Sequence, residues 1–225
     1  MPPPAQEAVT PAGTGGGRPG HAALTLPSVA GADGRAPGSG THRHARTPTA
    51  DELLASYGAA VPDLVAPGLR VLLCGINPSL WSGWSGLHFG RPGNRLWLVL
   101  HRAGFTERQL RPEHTGDLLS AGLGVTNLVQ RATARADELA DTELRDGVGR
   151  LERACRTWQP AWVAVLGLSA FRTAFDRPRA RPGRRAETLG GSGLWLLPNP
   201  SGLNASYQLP ALTELYAELR AEAYP

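Results

Sequence analysis

The chain has 225 residues, 41% of them hydrophobic, which suits one domain or at most a small pair. Its net charge is +4, and all 23 basic residues are arginine, so no lysine is present to form a Schiff base or to hold phosphate in a Walker-type loop. Lysine-based covalent catalysis and P-loop chemistry are thereby excluded, while the mild positive balance permits a nucleic-acid partner without requiring one.

In chain order, residues 1–50 come first, with eight Pro, nine Gly and scattered apolar residues of no period. Such a stretch buries too little surface to offset its ordering entropy and reads as a disordered tail, leaving 51–225 as the folded domain. His42, Arg43, His44 and Arg46 read there as solvated side chains rather than phosphate or metal ligands. The N-terminus lacks the charged-then-apolar pattern of a leader, and no apolar run reaches the roughly 18 residues that span a bilayer. Thr49-Ala50-Asp51-Glu52 ahead of Leu53, Leu54 and Tyr57 marks a helix start. Residues 69–76 form an apolar run that reads as a buried strand.

A long loop over 77–93 follows. The spacing of Leu96, Trp97, Leu100 and His101 predicts a helix over 94–103. A short helix is expected at 117–121 and a short strand at 124–129. Leu139, Leu144, Val148, Leu151 and Cys155 carry helical periodicity over 137–158. A strand at 162–167, a helix at 168–175, an Arg- and Pro-rich loop at 177–185, a strand at 194–197 and a helix at 208–223 complete the chain. Cys74 and Cys155 are too few for a four-cysteine metal site, and no disulfide framework is expected, so the reading is a reduced cytoplasmic protein.

Alternating strands and helices imply an α/β fold with a mainly parallel sheet, in which ligands bind beyond the carboxyl ends of the strands. Two loops lie there. Gly75-Ile76-Asn77-Pro78-Ser79 follows the first strand, and Asn77, preceding proline, is biased to an extended backbone. Leu197-Pro198-Asn199-Pro200-Ser201-Gly202-Leu203-Asn204 follows the last. Its prolines stiffen it, and Leu203 is an apolar residue in a polar loop, suited either to a wedge between bases or to the core.

Three further blocks accompany these: Phe89-Gly90-Arg91-Pro92-Gly93-Asn94-Arg95-Leu96-Trp97, Ala103-Gly104-Phe105-Thr106 and Gly124-Val125-Thr126-Asn127-Leu128-Val129. Together, in this order, the five blocks resemble the mismatch-specific uracil-DNA glycosylase family, the Mug and thymine-DNA glycosylase branch of the uracil-DNA glycosylase superfamily. The resemblance runs from about Leu69 to Leu219. It implies a three-layer α/β/α fold around a four-stranded sheet, and a monomer that acts on double-stranded DNA holding a mismatched or damaged base. It implies no metal, no cofactor and no membrane.

By the same resemblance Asn77 positions the attacking water, and Phe89 stacks on a flipped base. Ile76 offers a backbone contact to that base, and Ser82 lines the pocket. Asn199 stands where the faster branch has a histidine. Ser201, Gly202, Leu203 and Asn204 form the segment that enters the duplex and reads the opposite base. An amide at Asn77 does not titrate near neutrality, so it holds water rather than removing a proton, and slow turnover is expected.

Ser79 stands where the family commonly has Gly, and Asn204-Ala205 where it often has Ser-Arg. Trp81 and Trp84 add bulk to the first loop, His88 is a weak candidate acid, and the arginines of 172–185 read equally as a DNA track or a solvated loop. The function that the resemblance implies is a monofunctional glycosylase for uracil, or a related damaged pyrimidine, paired with guanine. A shifted preference for ethenocytosine, hypoxanthine or thymine, and a weakly catalytic protein that binds damaged DNA, stand as alternatives.

Overall fold

The computed structural model describes residues 46–225; the readings made on 1–45, with His42, Arg43 and His44, lie outside the described residues. Helix α1 (Ala50–Ala55) begins in a capping box, where Thr49 Oγ1 accepts from the Glu52 N–H at 3.3 Å and the Glu52 carboxylate accepts from the Thr49 N–H at 2.9 Å. Arg46 is not a free cation: it pairs with Glu52 (Nη1 to Oε2, 2.7 Å) and lies over the Trp84 ring.

The sheet has five strands: β1 (Val71–Gly75), β2 (Leu123–Asn127), β3 (Trp162–Leu166), β4 (Gly183–Leu189) and β5 (Ser192–Leu197), in the order β2-β1-β3-β5-β4. The four strands expected from sequence are all parallel to one another. The fifth, β4, runs antiparallel to β5 and begins inside the segment read as an Arg- and Pro-rich loop. Its pattern explains the miss. Exposed Arg184, Ala186 and Thr188 alternate with half-buried Arg185 and Glu187, so an edge strand reads as a polar stretch. A Gly190-Gly191 turn joins it to β5.

Helix α2 (Leu80–Ser85) is a second addition, lying within the expected loop 77–93. Ser79 caps it, its Oγ accepting from the Ser82 N–H at 3.2 Å, which gives that serine a structural role. Helices α3 (Leu96–Arg102), α4 (Thr115–Ser120), α5 (Asp141–Trp158), α6 (Leu168–Ala174) and α7 (Leu209–Ala223) follow the expected order. The helix expected from 137 starts later, because a 3₁₀ turn at Ala136–Glu138 and extended Leu139 precede α5.

Strand alternation sends Val71, Leu73, Val125, Leu166 and Leu197 to one face, against Leu100 of α3, Leu118 of α4 and Leu212, Tyr216 and Leu219 of α7. Leu72, Cys74, Val163, Val165 and Leu196 face the other way, against Leu144, Leu151 and Cys155 of α5 and Phe171 of α6. These are three layers, with two apolar cores split by one sheet. Each fully buried Leu contributes about 1.5–3 kcal/mol relative to exposure. Among the described residues no helix is long and apolar enough to cross a membrane.

The register positions the loops. Gly75 pairs with Asn127 and Leu166 with Leu197, so the chain leaves β1, β2, β3 and β5 at one level. The sheet margins differ. On the outer side of β2, Leu64 exchanges both backbone hydrogen bonds with Val125, at 2.9 and 2.8 Å. On β4 the register shifts between Arg184 and Thr188.

Candidate active site

A cleft of about 940 Å³ opens at the carboxyl ends of the four parallel strands. It takes in every candidate site residue except Gly202: Ile76, Asn77, Ser82, Phe89, Asn199, Ser201, Leu203 and Asn204 all line it. Gly202 lies between two of them and is exposed. Asn127 and His88 line it as well.

Asn77 is held by its amide nitrogen, which donates to Arg131 O at 3.0 Å and Thr133 Oγ1 at 2.7 Å. Both are acceptors there: one is a carbonyl, and the threonine hydroxyl gives its own proton to Arg135 O at 2.7 Å. The orientation of the amide is therefore fixed by chemistry, and Oδ1 has no hydrogen-bond partner among the described residues. Asn199 is fixed the opposite way. Its Oδ1 accepts from the Ser201 N–H at 3.0 Å, and Nδ2 has no partner among the described residues. The cleft thus carries one free amide acceptor after β1 and one free amide donor after β5.

Phe89 sits at φ +50, a backbone state that costs a non-glycine residue about 1–3 kcal/mol and is held by its surroundings. Its carbonyl accepts from Trp97 Nε1 at 3.3 Å. Its ring lies against Gly75, where a Cβ would be 3.2 Å from Cζ and 2.5 Å from Asn127 Oδ1. The bare backbone of Gly75 therefore leaves the Phe89 ring and the Asn127 carbonyl in place at the cleft floor.

Ser82 is buried. Its Oγ accepts from the Gly90 N–H at 3.4 Å and pairs with Ser79 Oγ at 3.3 Å, tying α2 to the Phe89 segment. The Ile76 carbonyl accepts from the Val129 N–H at 2.9 Å and keeps its second lone pair. Asn204 does not offer backbone groups to an opposite base. Its N–H goes to Ser201 O, its carbonyl accepts from Arg95, and its side chain bridges Asn199 O and the Ser206 N–H. Gly202 makes no hydrogen bond among the described residues, and Leu203 is 71% exposed, so the core-packing reading of that leucine fails.

Asn127 falls within the fourth sequence block, where nothing local marks it as a site residue. Its position at the carboxyl end of β2 was the available signal. Burial pushes the His88 imidazole below the usual histidine range, so the ring is neutral at neutral pH. Its Nε2 faces Pro62 O at 2.8 Å and must carry the proton; Nδ1 then accepts from Asn127 Nδ2 at 3.4 Å. This leaves Asn127 Oδ1 facing the cleft. His88 orients an amide and is not placed as an acid.

Behind Asn127, Arg150 of α5 donates to Thr126 Oγ1 at 2.7 Å and to Asn127 O, and pairs with Asp63 at 3.0 Å. Removing one partner of a buried ion pair costs about 3–5 kcal/mol, and this pair keeps 20–26% exposure. Arg150→Met is therefore expected to lower stability by about 2–4 kcal/mol, read by urea denaturation. A loss under 1 kcal/mol would show that the network is not structural.

Trp81 and Trp84 meet edge to face, 5.9 Å apart, and neither lines the cleft. Arg172 lines it but gives its guanidinium to Ala180 O at 2.9 and 3.1 Å. Arg177 and Arg185 face Glu187 at 4.0 Å, and Arg184 pairs with Glu222 at 3.3 Å. Arg177 and Arg185 thus share one carboxylate, while Arg179 and Arg181 make no ion pair among the described residues. Among the described residues no three His, Cys, Asp or Glu side chains are grouped to hold a metal ion.

A profile of the uracil DNA glycosylase superfamily matches residues 62–220. Among solved structures, the solution NMR structure of a candidate uracil DNA glycosylase from Methanosarcina acetivorans aligns with a TM-score of 0.52 at 18% identity, over 73% of this chain and 97% of that one. The likeness extends to the α/β architecture of the sheet and its helices.

Proposed function

Because the chain belongs to the uracil DNA glycosylase superfamily, we propose that it is a monofunctional DNA glycosylase. In this reading it acts as a monomer, in the mismatch-specific manner of the Mug and thymine-DNA glycosylase branch, and hydrolyses the N-glycosidic bond of uracil opposite guanine. The observation that carries it is the pair of oppositely fixed amides across the cleft: a free Oδ1 on Asn77 and a free Nδ2 on Asn199.

A base drawn out of the duplex enters over the Phe89 ring, where stacking contributes about 1–3 kcal/mol. Asn77 Oδ1 accepts one hydrogen of a water and leaves the water's lone pair toward C1′. As the C1′–N1 bond breaks, its electron pair passes to the base. Asn199 Nδ2–H donates to the base oxygen that takes up the charge. The water adds its hydroxyl to C1′ and releases a proton to solvent, and the departing base anion takes up a proton from solvent at N1. The products are a free base and an abasic sugar.

Asn127 Oδ1, kept facing the cleft by neutral His88, accepts from the N3–H of a uracil or thymine ring. Cytosine presents an unprotonated N3 at that place, and the two acceptors repel. With no lysine in the chain, the abasic strand is not cut by lysine-dependent Schiff-base chemistry.

The test is single-turnover base release from duplexes holding uracil opposite G or A, and thymine, ethenocytosine or hypoxanthine opposite G. Free uracil is expected fastest from the U:G duplex, with strand breakage only after alkali. Release of another base ahead of uracil would move the specificity. Tight binding of every lesion duplex with no base released would replace the enzyme by a damage-binding protein.

A further inference from the structure

The segment 198–208 joins β5 to α7 without a helix or strand of its own, yet it presents Leu203 at one fixed place. Its internal turns account for part of that, through Asn199 to the Ser201 N–H and Asn204 to Asn199 O. They do not anchor the loop to the body of the protein. Arg95 does. It is the N-cap of α3, outside the loop in sequence, and it binds four loop carbonyls.

Its main-chain N–H donates to Pro200 O at 3.1 Å, and Nε reaches the same oxygen at 3.3 Å. Nη2 donates to Ser201 O at 2.7 Å and Asn204 O at 3.1 Å. Nη1 donates to Tyr207 O at 2.9 Å. The carbonyls come from the start, the middle and the end of the loop, so one planar group draws both arms together on either side of Leu203. A lysine ammonium has neither the breadth nor the donor count for this.

Two more observations fit the same seat. A Cβ on Gly202 would be 2.8 Å from Gly93 O, so the loop rests directly on the backbone just before Arg95. Arg95 also makes no ion pair among the described residues, whereas Arg131 and Arg150 are paired with Glu143 and Asp63. Its charge is met by carbonyl dipoles alone, close beneath the surface that carries the wedge.

We propose that Arg95 is the positioning residue of the intercalating loop: its guanidinium holds residues 200–207 in the shape that carries Leu203 into the duplex before DNA arrives. The clasp rests on the proposed glycosylase function for its use, but not for its existence. A loop ordered during folding does not have to be ordered again on binding. The wedge matters only where a base must be displaced from a stack, so single-stranded substrate does not need it.

The experiment compares wild type with Arg95→Met, Arg95→Lys, Leu203→Ala and the Arg95→Met/Leu203→Ala double variant. Single-turnover uracil release is measured on a U:G duplex and on a single-stranded oligonucleotide. Arg95→Met is expected to lose about tenfold or more on the duplex and several-fold less than that on the single strand, where only the seat of Asn199 through the Ser201 N–H is loosened. Leu203→Ala loses a similar factor on the duplex, and the double variant loses no more than either single change. Equal losses on both substrates, additive losses in the double variant, or full duplex activity in Arg95→Lys each overturn the proposal.

Amide hydrogen exchange of the DNA-free proteins supplies a readout besides activity. Exchange in Arg95→Met is expected to speed up within 199–207 and to stay unchanged in the sheet. If it does not change in that loop, there is no clasp. Should the wild type release no uracil from either substrate, the functional reading fails, and exchange still decides the role of Arg95.

Discussion

Asn77→Ala is expected to lower single-turnover base release by on the order of 10³-fold while leaving duplex affinity nearly unchanged. The alanine removes the acceptor after β1 that holds a water toward the sugar, and the other amide oxygen at that level, Asn127 Oδ1, is assigned to the base. It also deletes the donors to Arg131 O and Thr133 Oγ1, at a stability cost of about 1–3 kcal/mol that a thermal melt would register separately. A variant with full activity would sink the assignment.

Asn77→Asp sharpens the point. A carboxylate can serve as a base, but here it faces a carbonyl oxygen and a hydroxyl whose proton is already committed. Those lone pairs favour the protonated acid, so its pKa is expected above the ordinary value of about 3.9. Activity then rises with pH through that pKa, because only the ionised form accepts a proton. The wild-type profile is expected to show no break near the usual histidine value, since burial keeps His88 neutral there. A pH-independent Asn77→Asp profile would contradict this account.

Gly75→Ala is the second large effect. Its methyl group would fall 2.5 Å from Asn127 Oδ1 and 3.2 Å from the Phe89 ring, so at least one of them has to move. Neither is free to do so. Asn127 is bound at its side-chain nitrogen by His88 and at its main-chain oxygen by Arg150, and the Phe89 backbone is already in an unfavourable region. A misplacement on the scale of 1 Å at a reacting centre costs about 10²-fold in rate. Overpacking adds about 1–3 kcal/mol of destabilisation. The expected result is a fall in kcat with a lowered Tm, and wild-type values of both would show that the floor of the cleft is softer than its contacts imply.

The sequence exposed the site more fully than the sheet. Gly75 to Ser79 and Leu197 to Asn204 stood out because proline and glycine punctuate the ends of apolar strands, and both loops line the cleft. β4 was hidden because only one of its faces is buried, and its arginines made the other face resemble solvent-exposed chain. α2 was hidden because a six-residue helix leaves too little period to detect, and its serine cap is also an ordinary turn residue.

The residues missed at the site share one property: each acts through a partner distant in sequence. Asn127 needs His88 to show which end of its amide faces the cleft, and His88 needs Pro62 O to reveal its tautomer. Arg95 lies 105 residues or more from the carbonyls it binds, and no local pattern encodes that meeting.

The margins of the sheet have a consequence for assembly. A naked strand margin is where proteins most readily recruit one another by adding a strand, and where they most readily precipitate. Here Leu64 occupies one margin through both hydrogen bonds to Val125, and on the other the broken register and the arginines of β4 interrupt the ladder. Neither side offers an uninterrupted template. Strand addition therefore meets an interruption at both flanks, and on the proposed function the loops around the cleft are the surface left for a factor that takes over the abasic product.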